Sequence, residues 1–137
     1  MEKILIGRKE TANLPTFGLI GKTVKIDSGA YTSSIDIERI RREGDVLYVL
    51  FDKENDEIEF KDYKVKVIKS SNGLAQERYI IKGKIHLGNK IYNTQFSLTD
   101  RSGMRYPILI GRRLLNKKFI IDTSKAYLLE EPTDSAT

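Results

Sequence analysis

Apolar residues along the chain fall into short runs that polar turn residues interrupt. The clearest pattern is an alternation of apolar and charged positions from Ile58 to Ile68, which returns from Arg78 to Leu87. A period of two is typical of strands that bury one face. With turn signals roughly every ten residues, the pattern predicts about nine or ten short strands and an all-β fold, either a barrel or a sandwich.

Turn residues place the connections between these strands. Asn72-Gly73 is the strongest hairpin signal in the chain, and Gly88-Asn89 is a second tight turn. One short helix is predicted from Arg112 to Lys117, near the C-terminus. Residues 11–21 contain a proline and two glycines and are predicted to form a loop.

Two other segments have less regular patterns. Residues 32–40 are predicted to form a short strand that continues into one or two helical turns, because their isoleucines fit no single period. Residues 126–129 are predicted to be the last strand, and the polar residues that follow are predicted to be frayed.

A short apolar motif occurs twice. Ile4-Leu5-Ile6-Gly7-Arg8 returns as Ile108-Leu109-Ile110-Gly111-Arg112, and a weaker pair matches residues 25–28 with residues 120–123. One explanation is that buried strands reuse the same residue types. The other is an approximate twofold relation within the domain.

Composition narrows the chemistry that the chain can perform. Its 137 residues predict a single domain, which we place at residues 1–130, followed by a polar tail at 131–137. Cysteine is absent, which excludes thiolate catalysis and cysteine–zinc sites. The only histidine, His86, cannot build a catalytic zinc site of two or three histidines and is predicted to be an ordinary strand-end residue. Carboxylate chemistry remains, and we predict no metal and no other cofactor.

Charge and hydropathy indicate a chain outside the membrane. The net charge of +5 is spread over a surface of mixed sign, so a nucleic-acid partner is not expected. No apolar run approaches the length of a membrane span, and the N-terminus lacks the apolar core of a secretory signal. We therefore expect a cytoplasmic protein without a membrane partner.

The stretch that carries the chemistry is Lys25-Ile26-Asp27-Ser28-Gly29-Ala30. A strand-forming run ends on Asp27, which would lie at a strand end and point into a cleft. Ser28 offers a hydroxyl to fix the turn, and Gly29 allows the backbone to present its amide to the carboxylate. An ordinary surface turn has the same tripeptide, so this motif alone favours the simpler interpretation.

Several further motifs, which occur in the same order as in a known family, favour a catalytic loop over an ordinary surface turn. The chain resembles the single-domain retropepsin-like aspartic proteases, and more closely a bacterial group often labelled "ATP-dependent zinc proteases". The matching segments are Gly7-Arg8-Lys9-Glu10 with Leu14-Pro15, Lys25 to Ala30 with Thr32-Ser33, Ser71-Asn72-Gly73 with Glu77 and Arg78, Leu98 to Arg101 with Met104, and Ile110-Gly111-Arg112 with Leu115, Phe119 and Asp122. Two positions depart from the group's pattern, since Ser28 replaces threonine and Leu74 replaces histidine.

The resemblance implies a closed acid-protease barrel and an aspartic endopeptidase. Its catalytic loop would be Asp27, Ser28 and Gly29, and its flap, which closes over substrate, would be tipped by Ser71, Asn72 and Gly73. Ala30, Thr32, Gly111 and Arg112 would support the loop; Arg112 would brace the loop or a dimer, although a surface arginine at a helix start is an equal alternative. Glu77, Arg78, Asp100 and Arg101 would form a structural ion-pair network or part of a substrate site.

Aspartic proteolysis needs two carboxylates, and the chain has one complete Asp-Ser-Gly. Asp122-Thr123-Ser124 lacks the glycine, so the second carboxylate is expected to be Asp27 of another copy. This predicts a twofold homodimer that acts on a peptide or protein substrate. A non-proteolytic peptide-binding module linked to a peptide-ligase system is the main alternative, and a nucleic-acid-binding barrel is the weakest.

Overall fold

The structure is a computed structural model that describes residues 2–69, 73–99 and 105–132. Ser71 and Asn72 of the predicted hairpin tip lie outside the described residues, as do Asp100 and Arg101. The strands within the described residues are β1 (Ile4–Gly7), β2 (Lys9–Leu14), β3 (Leu19–Ile26), β4 (Ser33–Asp36), β5 (Arg39–Glu43), β6 (Val46–Leu50), β7 (Ile58–Phe60), β8 (Lys64–Lys69), β9 (Ala75–Leu87), β10 (Lys90–Thr99), β11 (Ile108–Ile110) and β12 (Phe119–Asp122). A 3₁₀ turn covers Pro15–Phe17, and the helix α1 covers Arg112–Leu115.

Six strands close into a barrel in the order β10-β4-β11-β3-β2-β9, because β9 also pairs with β10. One edge of β9 pairs with β10. The opposite edge is long enough to pair first with β8 and then with β2. Closure leaves no open edge within the ring. The prediction of an all-β, closed acid-protease barrel with one short helix near the C-terminus is confirmed.

Two smaller sheets flank the barrel. β5, β6 and β7 form an antiparallel sheet, and β1 pairs in parallel with β12. The core is organised around Phe17, which is fully buried and lies 5.0 Å from the ring of Phe51 and 5.4 Å from that of Phe96. Gly83 makes room for it, since a Cβ at that position would lie 2.2 Å from Phe17 Cζ.

Three local predictions were wrong. Residues 11–21 are not a loop, because β2 continues to Leu14 and β3 begins at Leu19, with only the 3₁₀ turn between them. Residues 32–40 contain no helical turn; β4 and the start of β5 occupy them. Residues 126–129 form no strand, and hydrogen bonds to Lys9 and Glu10 hold them instead. In each segment, pairing with other parts of the chain determined the observed structure.

The repeated motif occupies two corresponding places. β11 runs parallel to β3, which leads to Asp27, and β1 runs parallel to β12, which ends at Asp122. Each copy of the motif therefore backs one Asp-containing loop, as an approximate twofold relation requires. No helix in the described part of the chain has the length and apolar character to cross a membrane.

Candidate active site

Asp27 follows directly after β3, at the end of the barrel strand that pairs with β2 and β11. Its backbone amide donates to the carbonyl of Ile110 at 2.8 Å, and the amide of Ile26 donates to the carbonyl of Arg8 at 2.9 Å. These two bonds fix the end of the strand. The Asp27 residue is only partly buried, so its carboxylate is accessible to solvent and to a ligand.

The turn after Asp27 brings a backbone amide to its carboxylate. Gly29 N donates to Asp27 Oδ1 at 3.0 Å, and Ala30 N donates to the Asp27 carbonyl at 3.3 Å. A Cβ on Gly29 would lie 3.2 Å from the same carboxylate oxygen. Glycine therefore allows the close approach of amide and carboxylate that the sequence motif led us to expect.

Gly111 supports this loop from behind. A Cβ at Gly111 would lie 2.7 Å from the carbonyl oxygen of Tyr31 and 2.9 Å from the carbonyl carbon of Thr32. Both are backbone atoms, which cannot move without displacing the loop. The amide of Gly111 also donates to Ser33 Oγ at 3.0 Å. Close packing, rather than an unusual backbone angle, is the reason for glycine here.

Arg112 contacts the loop through both its backbone and its side chain. Its amide donates to the Ala30 carbonyl at 2.8 Å, and its Nη1 donates to the Ser28 carbonyl at 2.8 Å. The guanidinium lies 5.9 Å from the ring centroid of Tyr31. These contacts connect Arg112 to the Asp27 loop of its own chain. A single chain does not test its role in a dimer.

Sequence reasoning assigned no role to Ser33, which is 1% exposed and whose hydroxyl accepts the Gly111 amide. Thr32 was named as a loop support instead, and it contributes backbone atoms to the contact with Gly111. The available signal was the spacing of Ser33, which lies two residues before Ile35. Both residues therefore share the buried face of β4. A hydroxyl on the buried face of a strand needs a partner.

A second loop repeats this architecture around Asp122. Its Oδ1 accepts hydrogen bonds from the amide of Ser124 at 3.0 Å and from the Ser124 hydroxyl at 2.6 Å. Gly7 backs this loop, since a Cβ there would lie 2.6 Å from the Lys125 carbonyl oxygen. The Ser124 hydroxyl, followed by the Ser124 amide and the charge of Lys125, lowers the pKa of the Asp122 carboxyl. The Asp122 loop thus carries a serine where the Asp27 loop carries Gly29.

The predicted flap corresponds to the hairpin of β8 and β9. Gly73 adopts a left-handed conformation with φ of 82°, which suits a hairpin tip. Val67 and Leu74, on either side of the tip, are exposed apolar side chains. Near the start of β9, Glu77 and Arg78 line a small cavity of about 90 Å³. The expected network with Asp100 and Arg101 lies partly outside the described residues.

No three histidine, aspartate or glutamate side chains gather into a metal-binding group in the part of the chain that the structure describes. The carboxylates of Asp27 and Asp122 accept hydrogen bonds from the protein itself. Asp27 therefore presents a partly exposed carboxylate on a loop that backbone hydrogen bonds hold in place.

Comparisons with known proteins agree with this architecture. The chain is 35% identical to a probable alpha-L-glutamate ligase from Shewanella pealeana and 34% identical to one from Shewanella halifaxensis, and each alignment covers 96% of the chain. The chain spans only 31% of the length of these ligases. A crystal structure of a Legionella pneumophila protein of unknown function superimposes with a TM-score of 0.72 at 23% identity, covering 94% of this chain and 100% of that one.

A family model decides the assignment. The model described as the retropepsin-like aspartic endopeptidase RimB matches residues 5–132, which include the Asp27 loop and all twelve described strands except the first residue of β1. The resemblance stated from the motifs is therefore confirmed. This chain belongs to the RimB-like family of retropepsin-like aspartic endopeptidases.

Proposed function

We propose that this protein is an aspartic endopeptidase whose active site forms between two copies, each of which contributes Asp27. The observation that carries the proposal is the Asp27 carboxylate itself. It is accessible, it accepts the Gly29 amide at 3.0 Å, and Gly111 and Arg112 hold its loop from behind. A fixed and accessible carboxylate of this kind is what activation of a water molecule requires.

The mechanism needs a pair of carboxylates. Two carboxylates about 3 Å apart share one proton, because two like charges at that distance cannot both persist. In the proposed site, the ionised Asp27 removes a proton from a water molecule held between the pair. The protonated Asp27 of the other copy donates a hydrogen bond to the scissile carbonyl oxygen. The water oxygen attacks the carbonyl carbon while the carbonyl oxygen takes the proton of the protonated Asp27. The first Asp27 then passes its proton to the amide nitrogen, the C–N bond breaks, and one hydroxyl of the intermediate returns its proton to the other Asp27, which leaves a carboxylic acid and an amine.

Asp122 is a poor candidate for the second carboxylate. One of its oxygens already accepts two hydrogen bonds from Ser124, which leaves that oxygen less available to hold a water molecule. These hydrogen bonds also lower the pKa of Asp122, which makes it a poor choice for the protonated member of the pair. Asp122 also ends β12, outside the barrel ring that carries Asp27. These features favour a second copy of Asp27 as the partner.

The β1–β12 sheet offers a surface for such an association. Leu5 and Ile120 are neighbours in register and are 48% and 54% exposed. Neighbouring exposed apolar side chains gain free energy when another protein surface covers them. A twofold contact through this sheet would bury the pair twice, which supports the proposed homodimer.

The substrate we propose is an acidic peptide. The relatives from Shewanella are named as alpha-L-glutamate ligases, and this chain carries a net charge of +5. A basic protein attracts a peptide rich in carboxylates. The peptide would lie extended beneath the predicted flap at Ser71, Asn72 and Gly73, and the flap would exclude water during the reaction.

The proposal is tested by replacing Asp27→Asn and measuring cleavage of an oligoglutamate peptide by mass spectrometry. We expect the rate to fall by about three orders of magnitude, because the variant lacks the general base. Asp122→Asn is the matched control, since it makes the same chemical change in the other loop; we expect its rate to stay within about twofold. Equal loss in both variants, or no loss in the first, would refute the assignment of Asp27.

The second candidate is a peptide-binding module that does not cleave its ligand. The observation that favours it is the name of the relatives, which denotes a ligase and not a hydrolase. A wild-type protein that binds oligoglutamate as tightly as Asp27→Asn does, and leaves the peptide intact at acid and neutral pH, would support this candidate over the endopeptidase.

A further inference from the structure

A basic cavity lies on the exposed side of the β9–β10 pair. Its volume is about 540 Å³, within the range of ligand-binding clefts. Strands β9 and β10 contribute residues 82–84 and 93–95, and α1 with the residues after it contributes Arg113, Leu114 and Lys118. No residue of the Asp27 loop lines it. The cavity is therefore separate from the candidate active site.

The side chains that line this cavity carry only positive charge. Lys82, Lys84, Arg113 and Lys118 are present, and among the described residues the lining contains no aspartate or glutamate. Arg113 Nη1 donates to Gln95 Oε1 at 3.0 Å, and Lys118 Nζ donates to the Leu114 carbonyl at 3.4 Å. Both acceptors are neutral, so these contacts hold the cations in place without neutralising them. An anionic ligand would supply the missing charge.

The spacing of the two strand lysines indicates the form of that ligand. Lys82 and Lys84 are two residues apart on β9 and both are exposed, so they project on the same side of the strand. Residues two apart on a strand are separated by about 7 Å. Alternate side chains of an extended peptide repeat at the same distance. Two carboxylates of an extended acidic peptide can therefore meet the two lysines in register.

The remaining lining residues disfavour a nucleotide. Within the part of the chain that the structure describes, no aromatic side chain lines the cavity on which a base could stack. Its uncharged polar members are small or amide side chains such as Thr94, Asn93 and Gln95. Single-stranded nucleic acids bind proteins largely through such stacking. Leu114 and the lysine stems instead give an apolar surface for the methylene groups of glutamate side chains.

We propose that this cavity is a second binding site for an acidic peptide, distinct from the Asp27 cleft, in which Lys82, Lys84, Arg113 and Lys118 bind the peptide's carboxylates. The proposal deepens the proposed function, because it rests on an acidic peptide as substrate. The helix α1 joins the two sites: Arg113 lines the cavity, while its amide donates to the Tyr31 carbonyl at 2.9 Å in the Asp27 loop. The second site would hold a long acidic substrate beside the catalytic loop.

The test measures binding of fluorescein-labelled hexaglutamate by fluorescence anisotropy at low ionic strength. All proteins carry Asp27→Asn, so that the probe stays intact. We expect the added pair Lys82→Gln and Lys84→Gln to weaken binding about tenfold, the effect of two partly exposed charge pairs. Lys53→Gln with Lys90→Gln is the matched control, because both lysines are exposed, lie outside the cavity and remove the same charge. The control should change affinity by less than about twofold.

Three results would overturn the proposal. One is equal weakening in both double variants, which would mean that only net charge matters. Another is unchanged binding after Lys82→Gln and Lys84→Gln. An oligothymidylate that displaces hexaglutamate at lower concentration than unlabelled hexaglutamate does would also overturn it, in favour of nucleic acid. Failure of the proposed function is recorded separately, since it would appear as an absence of oligoglutamate cleavage by the wild-type protein and would leave the binding difference intact.

Discussion

At the scale of single residues, Glu10 shows how a buried carboxylate can hold the chain together. It is 0% exposed, and its oxygens accept hydrogen bonds from Gly7 N at 2.8 Å and from Leu128 N and Leu129 N at 3.0 Å each. All three donors are backbone amides. Glu10 thereby fixes the segment after β12 against the turn between β1 and β2.

We predict that Glu10→Gln lowers the free energy of unfolding by about 3 kcal/mol, because the amide presents a donor where two oxygens must accept. Urea unfolding followed by circular dichroism measures the change. Glu59→Gln is the control; Glu59 is exposed and lies 3.8 Å from Lys61, so its loss should be below about 0.5 kcal/mol. Similar losses in both variants would contradict the role given to Glu10.

Single-residue features were predictable from sequence when their partners were close in the chain. The Asp27–Gly29 contact spans two residues and follows from the tripeptide alone. The Ser33–Gly111 bond spans 78 residues, and the Glu10–Leu128 bond spans 118. Neither partner can be named until the register of distant strands is known. A glutamate alternating with Ala12 and Leu14 was the signal that a buried polar contact existed, but it carried no information on the donor.

At the scale of elements, the two copies of the apolar motif have the same structural role at different loops. Gly111 follows β11 and packs on the backbone of Tyr31 and Thr32, and Gly7 ends β1 and packs on the backbone of Lys125 and Ala126. Each glycine allows a strand to pass directly behind an Asp-containing loop. The pair therefore makes it possible to disturb one loop while leaving the other in place.

We predict that Gly111→Ala lowers peptide cleavage by about a hundredfold, because a shift of the Asp27 loop by a few tenths of an ångström or more spoils the alignment of the carboxylate pair. It should also cost about 2 to 3 kcal/mol of stability, since the added methyl meets backbone atoms. Cleavage rates corrected for the folded fraction separate the two effects.

Gly7→Ala is the control, since its methyl would meet Lys125 O at 2.6 Å and Ala126 Cα at 2.8 Å. We expect a comparable loss of stability and a much smaller loss of activity per folded dimer, with the dimer content measured because Gly7 ends a strand of the proposed dimer surface. Equal activity in the two variants would mean that the backing of the Asp27 loop is unimportant for catalysis.

Element boundaries were the least predictable part of the fold. β2 was missed because Lys9, Glu10, Thr11 and Asn13 give it a polar composition, although it pairs with β3 on one side and β9 on the other. Residues 126–129 look like a strand by composition, yet their backbone is bonded to Glu10 and Lys9 instead of a ladder. Pairing partners, which are set by the whole barrel, outweighed local propensity.

At the scale of the whole molecule, the class was predictable and the strand order was not. Short alternating runs with frequent turns indicate a closed or packed β structure in general. The order of strands in the ring depends on parallel pairs such as β10 with β4 and β11 with β3. Hairpin signals in the sequence do not predict such pairs. The family motifs predicted the closed barrel by resemblance, but not the order of its strands. The basic cavity between β9, β10 and α1 could not be foreseen, because it is assembled from separate parts of the chain.

The final prediction concerns the number of chains in one active site. If each active site takes Asp27 from two copies, a mixed dimer of wild type and Asp27→Asn has a single carboxylate and is inactive. We predict that equal amounts of the two proteins, allowed to exchange subunits, show about half of the activity of the wild-type protein present, as random pairing in a twofold dimer requires. Peptide cleavage before and after exchange measures this ratio.

Two controls are needed to interpret the activity of the mixture. Mixing wild type with Asp122→Asn should leave the activity equal to the sum of the two proteins, because every dimer then retains both copies of Asp27. Analytical ultracentrifugation over the same concentrations should find dimers. Full activity of the wild-type fraction after mixing with Asp27→Asn would show that one chain suffices, and a second carboxylate would then have to come from the same polypeptide.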